Sequence, residues 1–185
     1  MKFNLIVSMC KKTRGIGYLN LLPWKLENDM KRFVKLTTGN KNNCVIMGKN
    51  TWDSLPKKPL KNRKNIILSS SMQKFKQVNY NQIKKQQVCS YNNIPDLLFA
   101  LENNNIDECW VIGGEKIYKE FLDLNIVSKI YITQILNKDT KPYDTFLPPL
   151  SKDYKLIEKR ALITETRIVG PIVKKENYFY EIYQK

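Results

Sequence analysis

The chain alternates short, continuous apolar runs with longer stretches in which apolar residues recur every three or four positions. Phe3 to Met9 is apolar with little alternation, the pattern of a strand buried on both faces. Cys44 to Met47, Asn65 to Leu68 and Cys109 to Ile112 are further runs of this kind. Val88 to Ser90 predicts a short strand, and Lys129 to Ile135, which alternates more, a longer one. Tyr154 to Ile163 and Asn177 to Tyr183 predict an antiparallel pair near the end.

Helical spacing falls between these runs. The segment from Leu22 to Thr37 reads LPWKLENDMKRFVKLT. At about 100° per residue, Leu26, Met30, Phe33, Val34, Leu36 and Thr37 share an arc of roughly 160°. Glu27, Asn28, Lys31, Arg32 and Lys35 lie opposite. Asp29 is the one charge on the apolar side, between Leu36 and Phe33. Such a carboxylate is either a first-turn acid facing the helix dipole or a pocket wall aimed at a ligand. Shorter helices are predicted from Lys49, from Pro95 to about Glu102, and from Glu115 to Leu122. Lys11 to Leu22 reads as a loop in which Gly15 and Gly17 permit unusual backbone conformations. Met72 to Gln87 is polar, basic and without readable period.

Strands alternating with helices predict an α/β fold. One domain over residues 1–185 is expected, with a mainly parallel twisted central sheet, helices on both faces and an antiparallel C-terminal strand pair. In such sheets ligands bind beyond the carboxyl ends of the strands. Ser8-Met9, Gly48-Lys49, Ser69-Ser70, Gly113-Gly114 and Thr133 all fall at those ends.

Composition narrows the chemistry. The 185 residues are 42% apolar and 26% charged, values of a globular domain without spanning segments. The four cysteines, Cys10, Cys44, Cys89 and Cys109, form no C-x-x-C pair, which points to reduced thiols and a cytoplasmic location. Histidine is absent, which excludes His-based triads and disfavours a zinc site. Proton transfer then falls to a carboxylate, Tyr, Lys, Cys or water. The net charge of +15 is spread along the chain and marks no nucleic-acid-reading face. Gly113-Gly114 between strand and helix suits a phosphate or a tight turn. Gly48-Lys49-Asn50-Thr51 repeats the arrangement with a cation, and Ser69-Ser70 adds hydroxyls. Arg63, in the basic loop PKKPLKNRKN, is either a solvated cation or a fork for a carboxylate.

Together these pieces resemble a known family. LPW followed by Asp29 and Phe33, then VIMGKNTW, PLKNRKNIILSS, WVIGGEKIY, IYITQI and YDTFLP, in this order, are similar to dihydrofolate reductase over about residues 3 to 150, with an echo in FYEIYQK. The resemblance implies reduction of dihydrofolate by NADPH, with antifolates as inhibitors, no metal and no membrane, and in some protists fusion to or association with thymidylate synthase. It implies that Asp29, Trp24 and Thr133 serve the chemistry. Asp29 would bind the pterin, Thr133 would bond that carboxylate, and Trp24 would help hold an ordered water. Met30, Phe33, Leu55 and Leu60 would line the substrate pocket, and Arg63 would take the glutamate α-carboxylate. Ser8, Ile112 and Tyr118 would lie near pterin and nicotinamide. The cofactor wall would comprise Ile16, Gly17, Lys49, Asn50, Thr51, Ser69, Ser70, Gly113, Gly114, Glu115, Lys116, Ile117 and Tyr118. The Gly-Gly peptide would be cis, and residues 14 to 24 would form a mobile loop over the nicotinamide. Asn62 stands where Gly is frequent, a residue that tolerates a left-handed backbone.

Overall fold

The computed structural model describes residues 1–70, 88–136 and 142–185. The polar stretch from 72 to 87 lies outside the described residues. In chain order the elements are β1 (Lys2–Cys10), β2 (Gly15–Gly17), α1 (Glu27–Thr38), β3 (Cys44–Gly48), α2 (Lys49–Ser54), β4 (Lys64–Leu68) and β5 (Val88–Tyr91). They continue with α3 (Ile94–Glu102), β6 (Glu108–Gly113), α4 (Glu115–Asp123), β7 (Val127–Ile135), β8 (Thr145–Phe146), β9 (Lys155–Lys159), β10 (Ile163–Val169) and β11 (Ile172–Gln184).

The main sheet has the order β10-β11-β7-β1-β6-β3-β4-β5, with β9 also on β11. From β7 to β5 every neighbouring pair is parallel, and β9, β10 and β11 add antiparallel partners at one side. The unalternating apolar runs now make sense, because period-two geometry sends successive residues to opposite faces. Leu5, Val7 and Met9 of β1 with Cys44 and Ile46 of β3 join a core completed by Leu97, Leu101, Ile117 and Phe121 from α3 and α4. Ile6, Val45 and Met47 face the other way, onto Trp52 and Trp110, with Phe33 and Leu36 of α1 packed outside them. Each run is apolar throughout because both faces are covered.

The predicted helix, strand and sheet plan holds, with four differences. The loop from Lys11 to Leu22 contains a strand, β2, paired antiparallel with β8. Its left-handed residues are Arg14, Leu19 and Asn20, not the glycines. Gly15 and Gly17 matter for space instead: a Cβ at Gly15 would overlap the Tyr143 ring, and one at Gly17 would stand 2.9 Å from Thr145 Oγ1. The expected strand from Tyr154 to Ile163 divides into β9 and the start of β10. The expected antiparallel C-terminal pairing is present as β9 on β11, and β10 extends it as a hairpin with β11 that turns at Gly170 (φ +59°). Finally, Arg32 leaves the polar side of α1. Its guanidinium stacks over Tyr180 at 4.1 Å, and burial lowers its pKa.

The β2–β8 pair depends on a missing side chain. Gly15→Ala should displace Tyr143 and cost about 1–3 kcal/mol, the range for overpacking. A melting temperature lower by roughly 3–10 °C, with faster proteolysis between residues 14 and 22, is the expected outcome. An unchanged melt and digest would mean that Tyr143 moves aside freely.

Candidate functional site

The site assembles where β1, β7 and β11 run side by side. Ser8, Thr133 and Tyr180 are register partners on these three strands, so they form one row across the sheet. Each holds a residue from the α1 segment. The Ser8 hydroxyl accepts the indole N–H of Trp24. The Thr133 hydroxyl donates to Asp29 Oδ1 at 2.6 Å. Tyr180 carries the Arg32 guanidinium on its face.

Asp29 is half-buried and its carboxyl pKa is raised. Burial is the largest cause. The Thr133 hydrogen bond and the Arg32 charge oppose it, and Glu165, a like charge, adds to it. A carboxylic acid held toward its protonated form beside an open cleft can both bond a ligand's donors and hold a proton. Met30, on the next position of α1, is 48% exposed, and Val34 one turn later is 46% exposed. Both lie on the apolar arc yet outside the packed core, so this stripe of α1 is left open to solvent beside Asp29.

Apolar surface continues along α1. Phe33, Leu55, Leu60 and Ile112 are partly buried around Trp52 and Trp110, so four expected lining residues share one apolar wall. At its far end Arg63 donates to Thr37 Oγ1 and lies 5.5 Å over the Phe33 ring. Its Nε is buried without a hydrogen bond, and among the described residues no carboxylate pairs with it. Burial lowers its pKa.

The loop that presents Arg63 is shaped by Asn65. This buried amide accepts from Leu60 N–H (2.9 Å) and donates to the carbonyls of Leu60 (2.9 Å) and Arg63 (3.0 Å). Asn62 in that loop has φ +61°, the conformation its residue type tolerates. Thr37 donates to Phe33 O at 2.7 Å, which fixes the hydroxyl that holds Arg63. Sequence reasoning missed Asn65 and Thr37 as site residues. Their signal was a polar side chain in an otherwise apolar run and on an apolar arc.

On the other side of the sheet's carboxyl edge lie the expected cofactor residues. The Gly113–Gly114 peptide is cis. A Cβ at Gly113 would meet the Tyr118 hydroxyl at 3.3 Å, and one at Gly114 would meet Thr51 Oγ1 at 3.4 Å, so the hydroxyl of α2 stands over the turn that begins α4. α4 has no side-chain cap, which leaves its first N–H groups for a ligand. Ile117 closes on Gly48, where a Cβ would be 3.2 Å from its Cγ1. Ser69 is half-buried and Ser70 exposed at the end of β4. Other expected residues are committed elsewhere. Lys49 pairs with Asp53, and exposed Lys116 reaches toward Glu120 at 3.8 Å. Glu115 accepts from Phe146 N–H at 2.9 Å, which ties α4 to β8. Through β8 it ties α4 to Gly17 and Ile16 of β2. The Tyr118 hydroxyl is buried and donates to Ile6 O at 2.8 Å, so it braces Gly113. Asn50 is exposed.

The loop ahead of α1 is hydrogen-bonded to the segment around β8. Asp144 accepts from Leu19 N–H at 2.7 Å, and Leu147 N–H donates to Arg14 O at 2.9 Å. Among the described residues, no cluster of three or more acidic, cysteine or histidine side chains could hold a metal ion, and no helix is long and apolar enough to cross a membrane.

A family model, dihydrofolate reductase, matches residues 2–174. The chain belongs to the dihydrofolate reductase family. It is 31% identical over 193 residues to the dihydrofolate reductase of Heliothis virescens, covering 100% of this chain and 98% of that one. It is 39% identical to the Schistosoma mansoni dihydrofolate reductase over 164 residues, covering 83% and 81%. It also matches the bifunctional dihydrofolate reductase-thymidylate synthase of Plasmodium berghei at 35% over 167 residues, which is 69% of this chain and 28% of that protein. Family membership brings reductase chemistry with a nicotinamide cofactor to a site whose acid and sheet-edge glycines already suit it.

The raised pKa of Asp29 has a thermodynamic consequence. Its stabilising contribution is complete below the carboxylate's ordinary value of 3.8 and is lost as pH rises through the folded-state value. Asp29→Asn should therefore melt higher than the parent at neutral pH, and the gap should close on acidification toward that value. Thermal melts of both proteins between acid and neutral pH measure this. A mutant that melts lower at neutrality would show that Asp29 acts as a favourable helix-dipole acid.

Proposed function

We propose that the chain is a cytoplasmic, NADPH-dependent dihydrofolate reductase that converts 7,8-dihydrofolate to 5,6,7,8-tetrahydrofolate. The observation that carries this reading is the Asp29–Thr133 pair, a half-buried carboxyl with a raised pKa beside the exposed apolar stripe of α1. The two oxygens of Asp29 match the ring N–H and amino donors of a pterin, and Thr133 orients them. Phe33, Leu55, Leu60 and Ile112 supply the apolar wall for the ring and the aminobenzoyl group. Arg63, without a carboxylate partner among the described residues, would take the α-carboxylate of the glutamate tail.

The cofactor residues fit the group they are assigned. Bare Gly113 and Gly114, the uncapped start of α4 and the Thr51 hydroxyl above them leave room and donors for a pyrophosphate. Ser69 and Ser70 supply further hydroxyls, and Lys49 a cation shared with Asp53. When bound, NADPH supplies the hydride for carbon 6 of the pterin.

The protein's own contribution is position, dryness and a proton. Thr133 holds Asp29 at one angle, and Trp24 anchored on Ser8 closes the side of the site next to it. Asp29 holds its proton to a higher pH than an exposed carboxylate would, and delivery to nitrogen 5 runs through an ordered water. The β2–β8 pair brings Ile16 and Gly17 against α4 and restricts water at the sheet edge. The bifunctional relative supports a working association with a thymidylate synthase, whose product is dihydrofolate.

An absorbance assay of NADPH loss on adding dihydrofolate tests the assignment; equal turnover with NADH would remove the NADPH part. Asp29→Asn keeps the shape but cannot hold the proton, so single-turnover hydride transfer should fall by about 10²–10⁴ at neutral pH. Part of the rate should return in acid, where the substrate arrives protonated. A folded mutant with the parent rate would end the role of Asp29.

Arg63→Leu leaves a substrate carboxylate without its fork of donors. KM for dihydrofolate should rise by about tenfold or more, since charge-assisted hydrogen bonds contribute about 1.5–3 kcal/mol. KM for a small dihydropterin without the glutamate should scarcely change. Equal losses for both ligands would make Arg63 structural.

A further inference from the structure

α1 carries Asp29 but does not cap itself. Leu26 stands at its N-cap and offers no side-chain acceptor. The first donors are met from far along the chain. Glu165 of β10 accepts from Glu27 N–H through Oε1 at 2.5 Å and from Asn28 N–H through Oε2 at 3.3 Å. Glu165 is itself fixed. The Tyr178 hydroxyl donates to Oε2 at 2.9 Å, and Tyr178 is wholly buried against Tyr180, with ring centroids 5.6 Å apart. Tyr180 belongs to the row that holds the site, beside Thr133.

We propose that Glu165 is a positioning residue for Asp29: a carboxylate from the C-terminal hairpin that sets both where the first turn of α1 stands and what charge Asp29 faces. This rests on the assignment of Asp29 as the site's acid. The geometry is unlike an ordinary cap. A cap from within the helix would hold the turn together but would not fix it to the sheet. Glu165 bonds the two residues before Asp29 and is bonded by β11, so the turn is tied to the same strand that flanks the site.

The charged and titratable groups facing Asp29 are Arg32 on its own helix, Glu165 on β10 and Tyr180 on β11, with exposed Glu27 two residues before it; β7 presents Thr133, which does not titrate. Arg32 favours the ionised carboxylate. Glu165 opposes it and acts with burial to raise the pKa. Removing the Glu165 charge must therefore move the Asp29 titration toward acid.

The test uses two variants and two readouts. Glu165→Gln keeps an acceptor for the helix and loses the charge; Glu165→Ala loses both. The Asp29 carboxyl carbon is followed by NMR in protein labelled at aspartate, its signal identified as the one missing from Asp29→Asn. In Glu165→Gln the Asp29 midpoint should move to lower pH, and its protonated fraction above the midpoint should drop by the corresponding factor. Single-turnover hydride transfer at neutral pH should fall by a similar factor, and Glu165→Ala should add a rise in KM and a lower melting temperature. A midpoint unchanged in Glu165→Gln, with only the melting temperature of Glu165→Ala reduced, would overturn the proposal and leave Glu165 a plain cap. The NMR midpoint does not depend on turnover. If Asp29→Asn keeps its activity while the midpoint still shifts, the reductase mechanism fails and the coupling to Glu165 stands.

Discussion

Three side chains in one cross-strand row, Ser8, Thr133 and Tyr180, hold the α1 segment to the sheet. Each uses a different bond: a hydroxyl acceptor for Trp24, a hydroxyl donor for Asp29, and an aromatic face for Arg32. Register is the constraint behind all three. A slip of one residue between β1 and β7, or between β7 and β11, would turn one member of the row to the opposite face. The apolar residues on either side of the row forbid that slip, since Ile132 and Val7 would leave their buried places. Packing of the sheet therefore enforces the chemistry of the cleft.

Much of this was legible in the chain before folding was considered. Asp29 stood out because burial of a lone acid on an apolar stripe is costly. The parallel sheet was legible because its runs are apolar throughout, and the two-sided cores explain why. Other parts had no local signal. Arg32 reads as surface until Tyr180, from the far end of the chain, lies beneath it. Glu165 is one acid in an exposed-looking hairpin, and only the tertiary fold brings it to α1. β2 and β8 have only three and two residues, too few for periodicity to mark. Gly15 and Gly17 suggested backbone freedom, whereas the fold uses the small volume of their side chains.

Electrostatics in the cleft follow from unequal partnering. Among the described residues, Arg32 rests on an aromatic ring and Arg63 on a threonine hydroxyl, neutral groups that leave their charges little cancelled by hydrogen bonds. Asp29 likewise bonds a hydroxyl. With no histidine present, no unperturbed side chain changes charge between about pH 5 and 8. The acid of the site whose pKa is raised is Asp29, half-buried in the first turn of α1.

The helix α1 also acts as a ruler. Asp29 sits in its first turn, and Thr37, which grips Arg63, sits in its last. They stand eight positions apart, a rise of about 12 Å. The two ends carry opposite charge, and their order is the reverse of the helix's own dipole. A molecule lying along this groove meets an acceptor at one end and a cation at the other, at a spacing set by the backbone and not by flexible side chains. Only a ligand with donors at its head, an anion at its tail and a rigid middle of matching length satisfies both ends at once. Insertion of one residue within α1 would leave both groups intact. It would rotate one against the other by about 100°, and the groove would lose its calibration.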